Sequence, residues 1–169
     1  MANHPNWRLP EVPSFTLTSP DFAEGETLPQ WARSGIAGAG GEDRSPTLHW
    51  EGAPSGTRSY AVTCFDPDAP TGSGWWHWVV TDIPATVTEL PLGGPLPEGS
   101  RTWPNDYGYT GWGGPWPPPG PAHHYVFTVF AVDVALPGML HASIAQCPVF
   151  GGKVAGVDAR AALAMRGVK

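Results

Sequence analysis

Asp66 and Asp68 flank a proline in Asp66-Pro67-Asp68-Ala69-Pro70, and His77 follows in Trp75-Trp76-His77-Trp78-Val79-Val80. These residue types suit acid–base work or anion binding. A carboxylate beside an imidazole orients it and favours its charged form, and an imidazolium attracts anions. Plainer readings compete. Asp-Pro-Asp also makes an Asx turn, in which the carboxylates accept local backbone N–H groups. A single His among tryptophans is more often a satisfied core residue than a ligand. His123 and His124 face opposite sides of a later strand, so one of them shares a side with the DPDAP loop. His4, His49 and His141 carry no supporting pattern and read as structural or surface groups.

Other templates fail. The glycine-rich run 111–120 offers backbone N–H groups for an anion nest, but its prolines remove donors, and an ordered loop is the simpler reading. No Gly-Lys-Ser/Thr follows it, and no strand–GxGxxG–helix context surrounds it. Thr71-Gly72-Ser73-Gly74-Trp75 is not a nucleophile elbow, because Thr71 and Trp75 hold its outer positions. With no H-E-x-x-H and no C-x-x-C, zinc is unsupported, and neither a metal nor a cofactor is expected.

The elements that must hold these groups are strands. Arg58–Phe65 is an apolar run that stops at the two prolines of DPDAP, which cannot continue a central strand. Thr71–Gly74 is turn material. Trp75–Ile83 is rich in aromatic and β-branched residues and forms the second strand. Alternation places His77 with Trp75 and Val79, and Trp76, Trp78 and Val80 on the other face. Short strands are expected at Phe15–Thr18, Thr47–Trp50 and Thr88–Leu90. Pro29–Ala32 reads as a short strand or turn, Ser34–Ser45 as a flexible loop and Trp103–Gly120 as a long loop. His123–Val134 is apolar on both faces, as in a strand buried at the centre of a sheet. Residues 1–13, with three prolines, form an extended N-terminal strap. Residues 139–169 form a helical segment, through Met139–Gln146 and the Ala-rich Val154–Met165. The fold class is mainly β (α+β), in a single domain spanning 1–169.

Composition narrows the function. A formal net charge of −6 with only 9 Lys and Arg leaves no basic stripe for nucleic acid. Gly and Pro number 22 and 21 of 169 residues, close to disordered composition, but 9 Trp and 6 Phe supply the apolar surface of a folded chain. No run reaches the roughly 18 apolar residues of a transmembrane helix. The N-terminus lacks the apolar stretch of a signal peptide, and Cys64 and Cys147 read as free thiols in a reducing compartment, so a cytoplasmic location is expected.

Asp66-Pro67-Asp68-Ala69-Pro70, Trp76-His77-Trp78-Val79-Val80, Gly113-Gly114-Pro115 with Pro117-Pro118-Pro119-Gly120, and His123-His124-Tyr125 follow one another in this order. Together they resemble the phosphatidylethanolamine-binding protein (PEBP) family, in its bacterial and archaeal Raf-kinase-inhibitor-like branch. Ser45-Pro46, Trp50–Pro54 and Asn105-Asp106-Tyr107-Gly108 support the likeness. The resemblance implies a large antiparallel central sheet, a smaller second sheet, and a small anion cavity at one end. That cavity would be lined by Asp66, His77, His123 and Tyr125, with Gly114 and Pro115 at the rim. Asp68, Pro70 and Trp76 would set the loop geometry, with a cis peptide at Ala69–Pro70. His123 becomes the inward histidine, and Asp66 is expected to orient and charge an imidazole. Trp103, Trp112 and Trp116 would gather at the mouth, as a contact surface or as a cover for the core.

The function so implied is a non-enzymatic binding or regulatory protein for phosphate-type groups, a phospholipid head group or a phosphorylated ligand. It would act on a protein target such as a kinase or hydrolase, as a homodimer. Two alternatives stand beside it: a phosphoester or ester hydrolase using the Asp/His cluster, and a structural dimer with a vestigial cavity.

Overall fold

A computed structural model describes residues 12–36 and 39–133. Its strands are β1 (Thr16–Thr18), β2 (Leu48–Glu51), β3 (Ser59–Asp66), β4 (Trp75–Pro84), β5 (Glu89–Leu90), β6 (Arg101–Thr102) and β7 (Val126–Val132). They form two antiparallel sheets, one of four strands in the order β6-β4-β3-β7 and one of three in the order β1-β2-β5.

The alternation in the sequence explains how the sheets meet. In β2, Leu48 and Trp50 are buried while His49 and Glu51 are exposed, so one face turns to the core. Leu48, Trp50 and Leu90 of the small sheet join Tyr60, Val62, Cys64, Trp78, Val80 and Ile83 of the large one in a single apolar cluster. The Trp50 and Tyr60 rings close the contact edge to face, 5.3 Å apart. Burying each such side chain stabilises the fold by about 1.5–3 kcal/mol.

β4 departs from regular alternation. Cys64 pairs with Trp78 but the next residue, Phe65, pairs with Trp76, which leaves His77 as the extra residue of a β-bulge. A bulge inserts one residue and reverses the facing of everything beyond it. His77 therefore shares a side with Trp75, as expected, and also with Trp78 and Val80, which were expected opposite. His77 and Trp78 both reach the Trp112 ring, and His77 and Trp75 both reach Tyr107. Val79 turns the other way, with Trp76 and Thr63.

Other expectations change too. Pro29–Ala32 contains a single 3₁₀ turn, Gln30–Ala32. The segment 34–45 was read as a flexible loop, but its described part is tied down: Gly41 N donates to Ser34 O and Asp43 N to Arg33 O. β7 begins at Val126 rather than His123, is half-buried throughout, and among the described residues pairs with β3 alone. Residues 1–11 of the strap and the helical segment 139–169, with Cys147, lie outside the described residues. The described residues fall within one compact unit.

Candidate functional site

Asp66 ends β3 with its side chain buried, and the chain then turns through DPDAP. The Asx reading holds, since Asp68 N donates to Asp66 Oδ1 at 2.8 Å. Thr71 N donates to Ala69 O at 2.7 Å and continues the turn. No peptide bond among the described residues is cis, so the bond before Pro70 is trans, contrary to expectation; these two hydrogen bonds reverse the chain without it. Gly74 closes the loop at φ +73, where an added Cβ would lie 2.3 Å from Phe65 Cζ.

The other Asp66 oxygen meets the second histidine segment. His123 Nδ1 donates to Asp66 Oδ2 at 2.7 Å, deep in the protein. His124 points outward. Both its backbone N and its Nδ1 donate to Asp68 Oδ2, at 2.7 and 2.6 Å. The hydrogen bond from the His124 backbone leads in holding the Asp68 carboxyl below the usual carboxylate range. Two adjacent Asp–His pairs thus pin the DPDAP turn to the start of β7, one buried and one exposed.

His77 is held from the opposite edge of β4. Beyond β6 the chain continues along that edge, with Trp103 N donating to Val79 O, Asp106 N to Trp76 O and Gly113 N to His77 O. Asp106 Oδ2 accepts from Trp76 N at 2.7 Å. The Gly113 carbonyl accepts from His77 Nδ1 at 2.6 Å, which fixes the proton on Nδ1 and directs Nε2 inward. Around the imidazole stand Tyr107, Trp112 and Tyr125, with ring centroids 5.7, 6.3 and 5.2 Å away.

Burial sets the electrostatics. His77 is 2 % exposed and Asp66 3 %. Desolvation pushes the His77 pKa below the usual imidazole value, against the Gly113 hydrogen bond and the Asp66 and Asp106 charges that would raise it. The imidazole that Asp66 orients is that of His123 and not that of His77. Asp66 pairs with His123, and its Oδ2 stays 4.0 Å from His77 Nε2. Burial and the nearby Asp66 charge push the Tyr125 hydroxyl up, and its oxygen is buried with no hydrogen-bond partner. Burial likewise pushes Tyr107 up to about 12, while its hydroxyl donates to Gly114 O at 3.2 Å. Burial, then Asp66, raise the Cys64 thiol, which leaves it no nucleophile. Among the described residues, no three His, Cys, Asp or Glu side chains converge to hold a metal ion.

The structure thus brings Asp66, His77, His123 and Tyr125 together. Gly114 follows Gly113, whose carbonyl bonds His77, but the two form no anion nest. Gly113 N donates to His77 O, and Gly114 N to Asp43 Oδ1 at 2.9 Å, so neither N–H is free. Gly114 is there for close packing, since an added Cβ would lie 2.4 Å from Arg33 C. Pro115 O accepts from Ser34 N. Trp76 faces away and packs on Phe65, 4.5 Å between ring centroids. It lines a shallow groove of about 310 Å³ with Thr63, Val79, Pro104 and Asp106, on the face of β4 opposite His77. The three tryptophans do not gather at one mouth: Trp112 is core, Trp103 bonds Thr81 Oγ1, and Trp116 is 53 % exposed.

Sequence reasoning missed Asp43 and gave Asn105 and Tyr107 no role. Asp43 sits at φ +51 and bridges Gly35 N and Gly114 N with its two oxygens. Asn105 is buried and braces the loop, accepting from Tyr107 N and donating to Gly111 O. The Asn-Asp-Tyr-Gly run was a usable signal for the last two. For Asp43 there was none, because its partner lies in a distant part of the chain.

Two antiparallel sheets, the larger carrying a buried Asp–His pair and an inward imidazole at one end, mark a class, and comparison agrees. The sequence pattern of the phosphatidylethanolamine-binding protein family matches residues 18–162, and the chain belongs to that family. Within it the chain falls in the bacterial YbcL/YbhB branch. It is 48% identical over 129 residues to the UPF0098 protein YbcL of Escherichia coli, covering 72% of this chain and 70% of that one. It is 46% identical over 123 residues to YbhB of the same organism, covering 70% and 78%. The crystal structure of YbcL, described as a new member of the mammalian PEBP family, superposes with a TM-score of 0.69 over 72% of this chain and 78% of that chain. A PEBP homologue of Chlamydia trachomatis superposes at 0.65 with 28% identity, over 73% of this chain and 78% of that chain.

Proposed function

We propose that this chain is a binding protein whose Asp66–His77–His123–Tyr125 cluster takes the phosphate of a small molecule or a lipid head group. The observation that carries the reading is the Tyr125 hydroxyl, buried without a partner beside His77. Native proteins leave few such donors, and a bound anion oxygen satisfies one. The Asp66 hydrogen bond occupies His123 Nδ1, so Nε2 is the ring atom left to meet a ligand. Hydrogen bonds to an anion in a site that excludes water are stronger than at the surface.

The hydrolase reading has less support, since burial raises the Cys64 thiol and leaves it a poor nucleophile. Regulation of a kinase or hydrolase partner, and action as a homodimer, belong to the same proposal as ways the bound state would be read out.

Titration of phosphate and phosphoethanolamine into the wild type and His77→Ala, by calorimetry and histidine NMR, tests the pocket. Saturable binding that is lost in the variant, with the His77 and His123 resonances shifting together in the wild type, is the expected result. Absence of binding to the wild type at millimolar ligand sinks it.

A further inference from the structure

An anion site needs surplus positive charge, and the cluster supplies little of its own. Asp66 is buried, and a protonated His123, 2.7 Å away, only balances it. Burial pushes His77 toward its neutral form, and the Asp106 charge also bears on that ring. A phosphate held here would stand beside a carboxylate, and like charges resist one another.

Four arginines and no lysine lie among the described residues, and their places differ. Arg44 pairs with Glu42 and lies over the Trp31 ring, and Arg101 pairs with Asp82. Arg58 precedes β3 at the end away from Asp66, roughly 25 Å along the strand. Arg33 is exposed, and among the described residues its guanidinium makes no hydrogen bond or ion pair.

The backbone sets Arg33 against the site. Ala32 O accepts from Trp112 Nε1, and Ser34 N donates to Pro115 O. Between those two bonds the Arg33 carbonyl carbon packs on Gly114, where an added Cβ would lie 2.4 Å from it. Residues 32–34 thus run beside 112–115, the segment whose Gly113 carbonyl holds His77 Nδ1. The charge of Arg33 reaches the Tyr125 hydroxyl, where it opposes that of Asp66.

We propose that Arg33 is the cation of the anion pocket, its guanidinium pairing with the phosphate that the Asp66–His77–His123–Tyr125 cluster takes. This rests on the pocket proposed above. A guanidinium is permanently charged and presents its N–H groups as a planar fork that matches two phosphate oxygens. Monoesters and diesters both keep two unesterified oxygens, so the pairing serves a soluble ester and a lipid head group alike.

Calorimetry of phosphoethanolamine with the wild type, Arg33→Ala, Arg33→Lys and Arg58→Ala tests it. Arg33→Ala is expected to raise Kd about tenfold. Arg33→Lys keeps the charge, loses the fork, and is expected to raise it about threefold. Arg58→Ala removes the same charge far from the site and is expected to leave Kd within about twofold. Raising salt from about 0.05 to 0.3 M should weaken the wild type more than Arg33→Ala. Urea denaturation of Arg33→Ala should match the wild type, because the bonds and the close packing of this residue are made by its backbone. An unchanged Kd in Arg33→Ala, or an equal loss in Arg58→Ala, overturns the inference and leaves the pocket standing. A wild-type Kd that ignores salt also overturns it, whichever variants fold. Failure of phosphoethanolamine to bind the wild type removes the pocket and the inference together. Co-sedimentation with phosphatidylethanolamine vesicles repeats the comparison on a lipid. Wild-type sedimentation that Arg33→Ala loses supports the pairing on a lipid head group; an Arg33-dependent Kd for phosphoethanolamine without sedimentation supports it on a soluble ester.

Discussion

An imidazole that is 2 % exposed is costly to protonate, and His77 carries that cost into the folded state. Its folded pKa lies below the usual value. An unfolded histidine takes a proton near 6.5. Between that value and the lower folded one, the unfolded chain binds more protons, so stability falls as pH drops below about 6.5 and is fully present above it. Urea denaturation across pH 5 to 8 is expected to show this loss in the wild type and a smaller one in His77→Gln. An equal loss in both would assign the dependence to another group. The DPDAP and Trp-His-Trp runs announced polar groups here, but not their pairing. Asp66 lies closer along the chain to His77 than to His123, yet it bonds His123. Which imidazole a carboxylate reaches depends on which strands lie side by side, and β3 lies between β4 and β7.

At the scale of elements, the bulge in β4 is the feature that aims His77. It lifts one residue out of the β3 ladder and offers its carbonyl to Gly113. The loop from Trp103 to Gly113 runs along that edge through three backbone hydrogen bonds, and Asp106 is its clasp. Asp106→Ala removes the acceptor for Trp76 N and is expected to cost about 0.5–1.5 kcal/mol in urea denaturation. It also removes a charge that raises His77, so the histidine NMR titration should move to still lower pH. An unchanged titration would mean that the Asp106 charge does not act on His77. β3 and β4 were legible because long apolar runs between turn signals are a local property. The bulge was not, because a register shift exists only between two paired strands.

Across the described unit, one side chain links the site to the core. Trp112 stacks on Phe127 with ring centroids 5.8 Å apart, meets Trp78 at 5.9 Å and His77 at 6.3 Å, and donates Nε1–H to Ala32 O. It therefore ties the glycine-rich loop, the 3₁₀ turn and the large sheet together. Trp112→Ala is expected to cost about 3–5 kcal/mol of stability, the range for emptying a large aromatic site. Phosphate binding should fall with it, because one wall of the His77 enclosure is removed. Retained binding at full occupancy, measured well below the unfolding midpoint, would separate the site from the core.

By itself the sequence determined the β class, the two organising strands, the Asx turn of Asp66-Pro67-Asp68 and the family, all of which rest on neighbouring residues or on motif order. Tertiary structure alone decided that His77 faces the same side as Trp78, that Asp43 takes the Gly114 N–H, and that burial pushes the His77 pKa down. Each of these depends on chain segments far apart in sequence meeting out of water, where a lost hydrogen bond or an exposed charge is no longer made good by solvent.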